Sequence, residues 1–142
     1  MTEEELRAEV AHPARVYDYW LGGTDNFAAD RAAAEQVIRF MPEILDTVRG
    51  NRRFLVRAVG FLRDAGIRQF IDIGSGLPSS PNVHEVAQAR DTGARVVYVD
   101  NDPLVFSRAG ALTAPDRVTV VQADLRDVDG DGPRHSCQPR EA

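Results

Sequence analysis

Three short apolar runs, each followed closely by glycines or an acid, constrain this chain more than any other feature. Phe70-Ile71-Asp72-Ile73 leads into Gly74-Ser75-Gly76, and residues 95–99 (RVVYV) lead into Asp100-Asn101-Asp102-Pro103. Residues 117–122 (RVTVVQ) lead into Ala123-Asp124-Leu125. Runs of this kind, bounded by turn formers, read as buried strands, the first over residues 67–73. Helical segments are expected between them, over residues 82–90 and over Pro103–Leu112, the latter with proline in its first turn. Strands separated by helices imply a parallel sheet with right-handed crossovers, so the fold class is α/β.

The first 66 residues read differently, as a helical segment. A short acidic helix is expected over residues 2–10, then an aromatic-rich helix over residues 14–21 that ends at Gly22-Gly23. Thr24, Asp25 and Asn26 offer caps for an alanine-rich helix over residues 27–40. Ile44, Val48, Leu55, Val59 and Leu62 keep one helical face apolar, with Gly50 as a place where that helix could split and Asn51 as the cap of its second part. The expected organisation is a helical segment over 1–66, a sheet-forming unit over 67–126, and a disordered tail over 127–142, where turn formers crowd and apolar residues are few.

The chemistry is expected at the strand tips, because open α/β sheets bind ligands beyond the carboxyl ends of their strands. Gly74 and Gly76 let the backbone turn sharply and let a ligand approach it. An acid ending the second strand, here Asp100, can accept from both hydroxyls of a ribose. Asp124 could accept from an adenine amino group. Each feature has a plainer reading: a simple turn, a helix cap, a loop acid. In order at successive strand ends, they point to a nucleoside-cofactor site. Pro78 and Ser79 stand where a dinucleotide fingerprint needs its last small residues, which disfavours a nicotinamide cofactor. An acid-x-Gly-x-Gly loop, Asp72 to Gly76, suits S-adenosylmethionine, with Asp72 placing the loop and the methionine amino end.

The blocks HPARVYDYWLGGTDNFAADR, QFIDIGSGLPSSPNVHEVAQ, RVVYVDNDPLV and VVQADLRD occur in that order. In these the chain resembles a family of actinobacterial S-adenosylmethionine-dependent methyltransferases. The resemblance spans roughly residues 10–127. It implies a Rossmann-like class I methyltransferase fold, present here in part as the N-terminal helices and the first three strands. It implies that Asp72, Gly74, Ser75 and Gly76 form the cofactor loop and that Asp100 holds the ribose. Asn101 would lie beside the adenine, and Asp124 and Leu125 would border its edge. The implied activity is methyl transfer to a small molecule, with no general base assignable. Alternatives are a truncated, inactive cofactor-binding remnant and a scaffold. Tyr17, Tyr19, Gly22, Gly23 and Asn26 have two readings: a lid over the cofactor, or helix packing by Tyr17, Trp20 and Leu21. Such methyltransferases continue for about another hundred residues. The first strand should therefore keep one unpaired edge, with self-association through it as the expected consequence.

Composition narrows the remaining classes. All 17 basic residues are arginine, which excludes a lysine Schiff base and a phosphate loop ending in lysine. The net charge of −5 disfavours general nucleic-acid binding. No run approaches the ~20 apolar residues of a membrane span, and the acidic start lacks the apolar centre of a signal peptide. A cytoplasmic protein is expected. Cys137 has no partner cysteine, and its spacing from His12 and His135 suggests no metal site. His84 is expected at the surface or as a cap, with the pocket as the second choice. Arg52 and Arg53 read as a solvated helix face.

Overall fold

The computed structural model describes residues 6–90, 92–112, 117–127 and 134–135. Residues 6–10 form turns rather than the expected short helix, and residues 2–5 lie outside the described part. Helix α1 (Pro13–Trp20) follows His12, whose ring Nδ1 accepts from Ala14 N, with proline in the first turn where its missing N–H costs nothing. Helix α2 (Ala28–Phe40) is started by Asp30, whose Oδ2 accepts from Phe27 N at 2.8 Å. Helix α3 (Ile44–Asp64) runs unbroken through Gly50. A helical glycine costs about 1 kcal/mol relative to alanine, too little to break a helix whose Val48 and Val59 are buried.

Strands β1 (Gln69–Ile73), β2 (Arg95–Asp100) and β3 (Val118–Gln122) are parallel and lie in the order β1-β2-β3. Helices α4 (Val83–Gln88) and α5 (Pro103–Leu112) connect them. This is the expected partial Rossmann-like arrangement, with β1 at the edge. A further short strand, β4 (Arg134–His135), pairs antiparallel with β3. It falls inside the stretch expected to be a disordered tail; the rest of that stretch beyond residue 127, Cys137 included, lies outside the described residues.

One sheet face is covered. Phe70, Val96, Tyr98, Val118 and Val120 pack with Leu55 and Val59 of α3, Val83, Val86 and Ala87 of α4, and Phe106 and Ala109 of α5. Each fully buried valine here contributes about 1.5–3 kcal/mol. A smaller cluster of Leu6, Leu77, Leu104 and Val105, joined by Ala14 and Phe27, fastens the N-terminal segment to the loop after β1 and to α5. Arg108 of α5 adds an ion pair to Asp25 at 2.8 Å. The helical segment therefore stands over the carboxyl ends of the strands.

Candidate functional site

A broad cleft of about 1330 Å³ lies at those strand ends. Nine of the expected site residues line it: Tyr17, Asp72, Gly74, Ser75, Gly76, Asp100, Asn101, Asp124 and Leu125. Asn26 does not. Its amide nitrogen donates to Asp18 Oδ2 at 2.8 Å and to Gly23 O at 3.0 Å, so it braces the turn after α1. Asp18, Gly22 and Gly23 reach the cleft instead. Burial holds the Asp18 carboxyl above its ordinary range, opposed by the Asn26 bond.

The glycine loop is shaped by β2. Gly74 and Gly76 have φ of +69° and +68°, a region that side-chain-bearing residues seldom adopt. A β-carbon on either would meet nothing within 4 Å, so both present bare main chain to open space. Their amides point elsewhere. Gly74 N donates to Val99 O at 2.8 Å, Ser75 N to the same oxygen at 3.2 Å, and Gly76 N to Asp100 Oδ2 at 2.9 Å. Three successive donors that could cradle a phosphate are thus engaged within the protein.

Asp100 is buried at the end of β2 and accepts from two amides, Gly76 N and Asp102 N, the latter at 3.0 Å. These bonds fix its carboxylate and occupy one acceptor site on each oxygen, leaving further acceptor capacity on a residue that lines the cleft. Asp72 sits one strand away, half-buried. Burial pushes its carboxyl up, Arg52 pulls it down, and the Asp100 charge pushes it up again. Arg52 is not on a solvated face. It lines the cleft, and its guanidinium donates to Ser79 O and to Pro81 O. The signal was present in the spacing, since Val48, Arg52, Leu55 and Val59 share one helical face. Among the described residues, Arg52 Nε and Ser75 Oγ are buried without a hydrogen-bond partner.

Asp124 is placed at the cleft but is held differently. It is gripped by Arg126, whose Nε donates to Oδ1 at 2.9 Å and whose terminal nitrogen donates to Oδ2. This contact holds its carboxyl well below the usual range. Asn101 Nδ2 reaches Asp124 Oδ2 at 3.4 Å, and Leu125 stands exposed beside them.

A buried network that sequence reasoning missed ties α1 to this site. Arg15, Asp30 and Asp102 are 2%, 0% and 2% exposed. Arg15 Nε lies 3.4 Å from Asp102 Oδ2 and 3.6 Å from Asp30 Oδ1, and His12 Nδ1 lies 3.1 Å from Asp102 Oδ2. The Arg15 guanidinium also donates to Leu6 O and Val10 O and sits over the Phe27 ring. Asp102 Oδ1 accepts from Leu104 N at the start of α5. Since Asp102 N holds Asp100, the network fixes the turn that carries the second strand's acid.

The two readings of the aromatic helix both contain part of the arrangement. Tyr17 OH donates to Val48 O and Trp20 Nε1 to Ala34 O, so α1 packs on α2 and α3. Tyr17 also borders the cleft, whereas Tyr19 bonds Glu35 and is absent from the lining. His84 is half-buried, neither at the open surface nor in the main cleft. Its ring Nδ1 lies 2.8 Å from Tyr98 OH, and burial lowers its pKa and raises that of Tyr98 to about 12. No cluster of metal-ligating side chains occurs among the described residues, and no helix there is long and apolar enough to cross a membrane.

Comparison with known proteins bears on the fold and the family. A comparison with curated proteins finds none that matches. A solved structure from Thermobifida fusca, provisionally assigned to the methyltransferases, is 50% identical with a TM-score of 0.82, covering 87% of this chain and 47% of that one. A DUF574 family protein from Streptomyces avermitilis is 47% identical with a TM-score of 0.81, covering 86% of this chain and 48% of that one. The chain thus spans about half the length of these relatives. A family profile described as S-adenosyl methyltransferase matches residues 1–131, and the chain belongs to that family.

Proposed function

We propose that the cleft binds S-adenosylmethionine and that the chain serves methyl transfer to a small-molecule acceptor in the cytoplasm. The observation that carries this reading is the pairing of a buried, backbone-held Asp100 with a glycine loop whose amides face inward. Such a site offers a ribose acceptor and an open floor but no phosphate cradle, which fits an adenosine joined to methionine and not a dinucleotide. Asp100 would take the ribose hydroxyls. Gly74, Ser75 and Gly76 would let the methionine chain pass close to the backbone. Asp72 and Arg52 would meet the ammonium and carboxylate of the amino-acid end, a pairing that suits a zwitterion. Arg52 Nε and Ser75 Oγ, buried without partners, are ready donors for it. Asn101, Asp124 and Leu125 would border the adenine, and Tyr17 would close the cleft from α1.

The bound group would supply an electrophilic methyl on a positively charged sulfur. The protein's part is positioning: holding donor and acceptor in line lowers the barrier without a covalent step on the chain. A base is required only for an acceptor that must lose a proton.

Titration calorimetry with S-adenosylmethionine, S-adenosylhomocysteine and NAD tests the reading. Binding of the first two and not the third is expected. Asp100→Ala removes charge-assisted bonds worth about 1.5–3 kcal/mol, so affinity should fall by about tenfold to a hundredfold. NAD binding as tight as that of S-adenosylmethionine would overturn it.

A further inference from the structure

Most acids of the cleft wall have an arginine beside them. Asp102 faces Arg15, Asp124 is gripped by Arg126, and Asp72 feels the charge of Arg52. Two acids are held by neutral donors instead: Asp100, by the amides of Gly76 and Asp102, and Asp18, in the last turn of α1. Asp18 lines the cleft, and no arginine stands against its carboxyl among the described residues. Burial disfavours its charge, the Asn26 bond favours it, and the charges that act on it, on Asp25 and Asp30, repel it. Its place is nevertheless fixed. Asn26 Nδ2 donates to Oδ2 at 2.8 Å, while Arg31 donates to Asn26 Oδ1 at 3.1 Å, so that amide cannot turn round without losing both bonds. Gly23 leaves room for the carboxyl: a β-carbon there would lie 2.0 Å from Asp18 Oδ1. A fixed, partly desolvated carboxylate among like charges favours a cationic ligand.

Helix α1 sets where this carboxylate stands. Its cap His12 lies beside Asp102, Ala14 packs in the cluster that contains Leu77, and Tyr17 OH reaches Val48 O, one turn from Arg52 on α3. The helix therefore crosses the cleft from the Asp100 side to the Arg52 side. On the cofactor reading above, on which this inference rests, the ribose lies at Asp100 and the amino-acid end at Asp72 and Arg52. The sulfonium joins the two, so it falls in the stretch that α1 crosses. We propose that the Asp18 carboxylate is the counter-charge of that sulfonium and makes the site prefer S-adenosylmethionine to its product. Methyl transfer breaks the sulfur–methyl bond and leaves its electron pair on sulfur, while the acceptor forms the new bond to the methyl carbon. The thioether that remains, S-adenosylhomocysteine, is uncharged at that atom. Asp18 then loses its cation where burial and two neighbouring carboxylates already oppose its charge. The step that makes the product thus also loosens it. Asp72 and Arg52 cannot draw this distinction, because the ammonium and carboxylate they meet are common to both molecules.

Titration calorimetry on the 142-residue chain is the test. The parent should bind S-adenosylmethionine about tenfold more tightly than S-adenosylhomocysteine. Asp18→Asn keeps an acceptor for Asn26 and removes the charge. It should erase the preference, weakening S-adenosylmethionine about tenfold and leaving S-adenosylhomocysteine within about twofold, with circular dichroism unchanged. Asp72→Asn should weaken both ligands alike. Sinefungin, which carries an ammonium in place of the methylsulfonium, probes the parent without any variant and should bind as S-adenosylmethionine does. A parent without the preference, an Asp18→Asn chain that weakens both ligands equally or neither, or sinefungin bound no more tightly than S-adenosylhomocysteine would each overturn the proposal and leave the cofactor reading standing. If neither S-adenosylmethionine nor S-adenosylhomocysteine binds the parent, the cofactor reading falls and this inference falls with it.

Discussion

The two faces of one sheet differ in what meets them more than in what they are made of. Phe70, Val96 and Tyr98 point into a packed core; Ile71, Val97 and Val99, their neighbours along the same strands, do not. Strand side chains alternate between faces, so a single residue step decides whether an apolar group stabilises the folded chain or waits at its surface. The stability of the chain therefore rests on one face and on the buried ion network.

The sharpest way to break this contrast is a matched pair of substitutions. Val120→Asp places an unpaired carboxylate in the covered core and should cost roughly 5 kcal/mol or more, enough to unfold a marginal domain. Ile71→Asp on the open face should stay within about 0.5 kcal/mol of the parent. Urea unfolding followed by circular dichroism compares the two, and equal losses would end the distinction. Arg15→Ala comes next. It leaves Asp30 and Asp102 buried without their cation, and a loss of about 3–5 kcal/mol is expected in the same assay. Because Asp102 holds Asp100, affinity for S-adenosylmethionine should fall with it even where the variant stays folded.

The smallest effect concerns pH. The folded-state pKa of Asp72 is raised, chiefly by burial, so the folded chain holds that proton more tightly than the unfolded one. Its ionisation opposes folding above the folded pKa, and this penalty vanishes as pH falls below the unfolded value of about 3.9. Asp72→Asn should therefore be more stable than the parent near neutrality, with the gap closing in acid, while binding S-adenosylmethionine more weakly. Paired urea melts across that range check the sign; a gap that widens in acid would refute it.

Much of this was legible in the sequence. The strands were, because apolar runs and their closing residues are local signals. So were the glycine loop and Asp100, since strand tips are where such folds place ligands. Arg52 was legible in principle from its helical spacing. The Arg15 network was not, because Asp102 lies in a loop remote from α1 and α2 in the chain and only packing brings the three together. Nor was the grip of Arg126 on Asp124, or the inward turn of the loop amides; both depend on rotamers and peptide orientation that residue order does not encode. Asn26 was misjudged for a similar reason: a polar residue beside a glycine pair serves a turn as readily as a pocket.

The inward orientation of those three amides carries a last consequence. Phosphorylated nucleotides are abundant wherever proteins work, and many ligand pockets must discriminate among them by shape. At the proposed site that discrimination would be made beforehand, by the peptide planes themselves: a phosphate brought to the loop finds its three amides already bonded to Val99 O and Asp100 Oδ2. ATP and its kin should be poor competitors for this chain at any abundance.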